Sequence, residues 1–180
     1  MYLTYQIPPV TNAFSVGQIE IEVLEPGVDP DSVPWGADTK PVQLTIPDGA
    51  ENTSGVVRAM LVPRLVNRTT GEATGKDLGS ISAPSGNQLV MGDITLHFAG
   101  DWSGNWIYKE GFFYYNKVLA PGETTPELLA GVTLTDPGKR EEYQDITVKL
   151  DVLADVLQAQ GGAVETEWGM KVENGTVSLQ

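Results

Sequence analysis

Apolar and polar residues alternate in short runs along most of this chain, and each run of period two reads as a strand with one buried and one wet face. Leu3, Tyr5 and Ile7 share one side of an extended arm, with Thr4 and Gln6 on the other, until Pro8-Pro9 blocks ordinary strand pairing. The arm reads either as a frayed or edge strand, or as a segment that pairs outside its own domain. Residues 14–24 form an amphipathic strand with Ile19, Ile21 and Val23 opposed to Gln18, Glu20 and Glu22. Residues 40–46 give the next strand through Val42, Leu44 and Ile46. Residues 56–66 give a longer one, whose Pro63 signals an edge or a bulge. Strand character returns at 88–99 and again at 128–135. The run 146–159 alternates from Ile146 to Val156; a helix could use Val152, Leu153, Val156 and Leu157, but the β-branched content and the early period-two start favour a strand. One or two helical turns fit 163–168, and a last hairpin turns on Asn174-Gly175.

The densest signal lies between these, in WIYKEGFFYYNKVLAPGETTP at 106–126. Two aromatic runs flank Glu110-Gly111, which suits a two-residue hairpin loop with Gly at its second position. That loop sets Lys109 against Phe112, Tyr108 against Phe113 and Trp106 against Tyr115. Trp106, Tyr108, Phe113 and Tyr115 then share a face. Pro121-Gly122 has the residue order of a type II turn. Seven to nine strands follow from this reading, and the expected class is an all-β, jelly-roll-like antiparallel sandwich with short helical insertions. The expected division is an extended arm at 1–13 and a single β-sandwich domain at 14–180. Two loops separate the strands: 25–38, rich in Pro and Gly, and 67–87, polar and long enough that it is expected either to be mobile or to carry a short element of its own.

Composition supports the class. Gly 20 and Pro 12 in 180 residues suit many short strands and turns. The length allows one domain that buries about 70% of the surface its unfolded chain exposes. With no Cys, packing and hydrogen bonding must hold it without disulfides or thiolate metal sites. Lys+Arg 11 against Asp+Glu 24 gives a net charge of -13, which repels nucleic acid and argues against it as a partner. No apolar run reaches the roughly 20 residues of a membrane span. The start MYLTYQIPP lacks a signal peptide's basic and apolar regions, so either the protein is cytoplasmic or Met1 replaces a removed leader.

Catalytic chemistry finds little to work with. His97 is the one His, without a GxSxG elbow or a second His for zinc, and reads as an ordinary strand residue. Among 24 acidic residues any glycosidase-like pair is a chance match. Glu25, Asp29, Asp31 and Asp38 do not follow a calcium-loop spacing, and read as a solvated acidic loop. No catalytic residue, metal site or cofactor is expected. Asn52, Asn67 and Asn174 begin glycosylation sequons that matter only on a eukaryotic secretory route. The aromatic group Trp102, Trp106, Tyr108, Phe112, Phe113, Tyr114 and Tyr115 either stacks on sugar rings or forms a core ladder, the latter favoured.

Several stretches together resemble the secreted TasA/camelysin-type biofilm matrix proteins of Gram-positive bacteria, exported with a dedicated signal peptidase. The carrying residues are Tyr2-Leu3-Thr4, TNAFSVG at 11–17, Val57-Arg58, the hairpin with its PGETT turn, and VLQAQGG before ETEWG. The resemblance implies a jelly-roll-like sandwich, a removed signal peptide, secretion to the matrix or cell surface, and non-enzymatic assembly into extracellular fibres. In such fibres the N-terminal segment of one subunit completes a sheet of the next. By position that donor strand is Tyr2, Leu3, Thr4, Tyr5, Gln6, Ile7 and Val10, with Leu3, Tyr5 and Ile7 inward. The implied partners are copies of itself, with other matrix or cell-wall components as further candidates. Camelysin-type members are also described as peptidases, an activity for which no metal-ligand motif is present here. The competing expectation is a surface carbohydrate-binding or adhesive module that uses Trp106, Tyr108, Phe113 and Tyr115.

Overall fold

The computed structural model describes residues 42–49 and 52–180 in full, and before them the backbone of four strands: β1 (Thr4–Ile7), β2 (Asn12–Val16), β3 (Ile19–Leu24) and β4 (Asp38–Thr39). Next come β5 (Gln43–Thr45), β6 (Gly55–Asn67), β7 (Gln88–Met91), β8 (Ile94–Phe98), the one-turn helix α1 (Trp102–Asn105), β9 (Trp106–Lys109) and β10 (Phe112–Tyr115). The chain then forms β11 (Leu129–Leu134), a 3₁₀ turn at Pro137–Lys139, β12 (Ile146–Gln158), α2 (Ala163–Trp168), β13 (Met170–Glu173) and β14 (Thr176–Leu179).

The spine is the antiparallel pair β6 and β12, in register without interruption from Gly55 opposite Gln158 to Asn67 opposite Ile146. They lie inside a five-stranded sheet of order β1-β12-β6-β10-β9, and a four-stranded sheet runs β4-β11-β8-β7. Three-stranded β2-β3-β5 and two-stranded β13-β14 complete an all-β, antiparallel sandwich. Alternation explains its core. Val57, Ala59 and Leu61 of β6 and Val152, Ala154 and Val156 of β12 turn inward. They meet Ile94, Leu96 and Phe98 of β8, Val132 of β11, and Val42, Leu44 and Ile46 around β5. The opposite face of the large sheet is covered by α2 and β13-β14, where Val56, Tyr114, Leu157, Val164, Trp168, Met170 and Val177 make a second cluster.

The strand over 146–159, the helix at 163–168 and the Asn174-Gly175 hairpin lie where the pattern sets them. Other expectations need correction. The single strand expected at 14–24 is two strands, with Val16 paired to Ile19. The one expected at 88–99 is likewise the hairpin β7-β8, turned by Gly92 at φ +56° and Asp93. Each side of the two-residue turn alternates, but the apolar positions change parity across it, from Leu89 and Met91 to Ile94, Leu96 and Phe98, a one-residue phase shift that a reading of local alternation passes over. The described residues therefore hold fourteen strands rather than seven to nine. The boundary expected between residues 13 and 14 falls inside β2. The acidic loop 25–38 lies outside the described residues, except for Asp38 in β4.

Pro63 stands in an unbroken ladder with β12, so it marks an edge and not a bulge. Leu65 and Asn67 exchange backbone bonds with Thr74 and Glu72 on the side away from β12. Period two turns the nitrogen of Pro63 to that same side, where β10 has already ended beside Arg58 and Ala59. No ladder bond is lost there. The segment 67–87 adds only isolated bridges at Ala73 and Ser85, and anchors itself by packing Leu78 and Ile81 on the core.

Candidate functional site

The aromatic hairpin has the register its sequence dictates: Lys109 pairs Phe112, Tyr108 pairs Phe113, and Trp106 pairs Tyr115. Its loop residues Glu110 and Gly111 both have positive φ, 50° and 89°, the type I′ conformation that follows the twist of the strands. Trp106, Tyr108, Phe113 and Tyr115 do share a face, and that face is the core. Trp106, Phe113 and Tyr115 are buried, Tyr108 half-buried. Ring centroids lie 5.2 Å apart for Tyr108 and Phe113, and 5.6 Å for Trp106 and Tyr115, the spacing of a cross-strand ladder. Tyr108 borders a pocket of about 500 Å³ lined also by Met60, Pro63, Ile81, Met91 and Gly111. Burial withdraws the rings of Trp106, Phe113 and Tyr115 from any sugar at the surface.

The N-terminal arm lies at the other end of the same sheet. Among the described residues β1 pairs only with β12, Thr4 opposite Asp155, Tyr5 opposite Ala154, Gln6 opposite Leu153 and Ile7 opposite Val152. Ala154 and Val152 belong to the core and are wholly buried. Tyr2, Leu3 and Val10 of the expected donor strand lie outside the described residues.

One feature of this edge escapes the pattern. Arg58 and Asp155, which alternation marks only as outward polar positions, form an ion pair with Nη2 to Oδ2 at 2.8 Å, and both residues are buried. Arg58 Nε also donates to Oδ2 at 2.9 Å, and Nη1 donates to the Tyr114 hydroxyl at 3.0 Å. The guanidinium carbon sits 3.7 Å from the centroid of Phe112 and 4.4 Å from that of Trp168. Arg is suited to such a place because its planar, weakly hydrated cation stacks on rings while its edge donates hydrogen bonds. Asp155 Oδ1, by contrast, is buried with no hydrogen-bond partner among the described residues. The sequence signal was an arginine and an aspartate in two strongly apolar strands whose outer face lies under the amphipathic stretch AVETEW.

A second polar cluster ties loops together. Tyr143, nearly fully buried, donates a short hydrogen bond to Asp93 Oδ2, and Lys139 Nζ bonds Oδ1 at 2.9 Å. These bonds, Tyr143's first, hold the Asp93 carboxyl below the usual carboxylate range. Burial, followed by the bond to Asp93, pushes the Tyr143 phenol up to about 12. His97 is a half-buried strand residue bonded to the Thr133 hydroxyl at 2.7 Å. No group of three His, Cys, Asp or Glu side chains among the described residues could hold a metal ion. Among the described residues no helix is long and apolar enough to cross a membrane. The chain matches none of the protein families, characterised proteins or solved structures with which it was compared.

Proposed function

We propose that this chain is the structural, non-enzymatic subunit of an extracellular biofilm matrix fibre of the TasA/camelysin type, a secreted protein with jelly-roll-like strand order. Its copies join head to tail when the arm of one subunit takes the β12 edge of the next. The observation that carries this reading is the seat of β1, a four-residue edge strand held by one neighbour and followed at once by Pro8-Pro9. An arm so attached exchanges between chains at little cost, because the bonds broken within one subunit are remade in the next. Each large apolar side chain seated by the exchange contributes about 1.5–3 kcal/mol. Donation in one direction leaves a vacant edge at one end and an unplaced arm at the other, so growth stays open.

A mixed cross-linking experiment tests it. The chain has no Cys, so Gln6→Cys and Leu153→Cys can be introduced singly into separate preparations. These positions are register partners, and directly opposed Cα atoms lie about 4.5–5.5 Å apart, within disulfide range. Disulfide dimers that form under filament-growing conditions only when the two preparations are mixed are the expected result. Filaments without any such cross-link would overturn the reading.

A further inference from the structure

The geometry points to a docking cleft on β6, at residues 60–64, that takes an extended, cationic segment of another protein as an added strand. The inference starts from a gap in the large sheet. β10 meets β6 only at Arg58 and Ala59, and on that same side pairing resumes only at Leu65, whose carbonyl accepts from the Thr74 amide. Between them no strand or isolated bridge lies against β6 among the described residues. The open stretch is about 17 Å of strand. Period two turns the N–H and C=O of Leu61 to this side, in step with Leu65 and Asn67. Neither group has a hydrogen-bond partner among the described residues, although Leu61 is only 1% exposed. Buried backbone groups are almost always paired, so a donor and an acceptor left open side by side fit the peptide unit of one more strand. Pro63, next in step, has only a carbonyl to offer.

The space beside this stretch is already shaped. The pocket of about 500 Å³ lies against it, bounded by Met60 and Pro63 of β6 together with Ile81, Met91 and Tyr108. Its volume falls within the roughly 300–1,000 Å³ of ligand sites, and its walls suit an apolar side chain. Part of its wall belongs to the strap 77–84, which makes no backbone–backbone hydrogen bond among the described residues. The strap is held by the packing of Leu78 and Ile81 and by a long contact, 3.5 Å, from the Tyr108 hydroxyl to the Ile81 carbonyl. It yields to an entering strand, which brings the backbone bonds that the strap does not make. Charge selects the partner. Glu110 is the one charged residue among those lining the pocket, and the chain carries a net charge of -13. Both favour a segment with Lys or Arg between its apolar residues, whereas a second copy brings the same net negative charge.

The test titrates the full chain with a blocked hexapeptide that alternates lysine and valine, and follows amide exchange at residues 60–62 by NMR. In the free chain the Leu61 amide should exchange at least about tenfold faster than those of Met60 and Val62, whose nitrogens face β12. Bound peptide should slow it at least about tenfold. The same peptide with glutamate for lysine should leave it unchanged, and Glu110→Lys should weaken the lysine peptide about fivefold. Methylating alternate nitrogens of the lysine peptide should abolish binding for the set that faces β6 and spare the other set. A Leu61 amide as slow as its neighbours in the free chain, no slowing by the lysine peptide, equal action of the glutamate peptide, or equal binding by the two methylated peptides would each overturn the site. β1 lies on the far side of β12 from this cleft, so the result stands whether or not the arm is exchanged between copies.

Discussion

Arg58 on β6 and Asp155 on β12 face each other as a register pair, and their ion pair is sealed on the outer face of the sheet by the rings of Phe112, Tyr114 and Trp168. Two desolvated charges are held where the second apolar cluster would otherwise be continuous. Removing one of them leaves the other buried and uncompensated, the costliest arrangement a pair can be left in. Asp155→Ala and Arg58→Ala should each lower stability by about 3–5 kcal/mol in urea unfolding. Replacing both by apolar residues of similar volume should recover most of that loss. A single substitution costing under 1 kcal/mol would show that water reaches the pair.

The aromatic hairpin should answer mutation as a core element. Trp106 is 2% exposed and Phe113 0%. Trp106→Ala and Phe113→Ala should therefore cost about 3–5 kcal/mol each. If the chain bound a glycan through these rings, a fully folded Trp106→Ala protein would lose that binding; the burial predicts that no fully stable Trp106→Ala protein is obtained. The loop offers the opposite change. Glu110 occupies φ 50°, a conformation Asn tolerates better, so Glu110→Asn should raise stability by about 0.5 kcal/mol, readable as a higher Tm.

Gly55 opens β6 at a crowded point of the ladder. A Cβ there would lie 2.8 Å from Val156 Cγ2 and 2.9 Å from the Leu157 carbonyl oxygen, while its own backbone exchanges two bonds with Leu119. Backbone cannot give way as a flexible side chain can. Gly55→Ala should cost about 1–3 kcal/mol, and calorimetry that finds it neutral would mean the β6–β12 ladder yields at this end.

The Tyr143–Asp93–Lys139 cluster predicts how stability depends on pH. Tyr143 titrates near 10 when unfolded and is pushed up to about 12 in the fold, so between those values the unfolded chain has lost a proton that the native one keeps. Stability is whole below pH 10 and falls as pH rises through that window. The raised Lys139 ammonium acts in the same direction, from its ordinary 10.5 upward. Asp93 is held below its ordinary 3.8, so its contribution is present above that value and is lost as pH falls through the lowered one. Urea midpoints measured against pH should show both declines. Tyr143→Phe should be less stable at neutral pH and flatter above 10.

How far the fold was legible in the sequence follows from what each signal measures. Alternation reports which face is buried, so Val42, Leu44 and Ile46, and the whole of β12, could be assigned from composition and period alone. Turn chemistry fixed the Glu110-Gly111 hairpin to the residue, because only a two-residue loop with positive φ joins such strands tightly. The same signals, read only as local alternation, pass over the one-residue shift of phase that a two-residue turn introduces, which is why β2-β3 and β7-β8 merged. They are also blind to which polar residue on an outer face is covered. Arg58 and Asp155 look like solvent-facing positions until α2 folds over them, an event encoded some ten residues beyond Asp155. Tyr143 and Asp93 meet through two loops, and loops carry no period at all.

The arm makes the last prediction. At net charge -13 two copies repel, and the repulsion acts before any strand can be exchanged. Screening shortens its reach to about 10 Å at 0.1 M salt and about 3 Å at 1 M. Filament growth followed by light scattering should therefore speed up with ionic strength, and also with mild acidification, which lowers the charge. Deleting residues 1–10 removes β1 and should abolish growth under every salt condition. The two effects act at different steps: salt changes how often copies meet, and the arm decides whether a meeting lasts. A truncated chain that still forms filaments at high salt would show that another surface joins the subunits and that the β12 edge serves only its own arm.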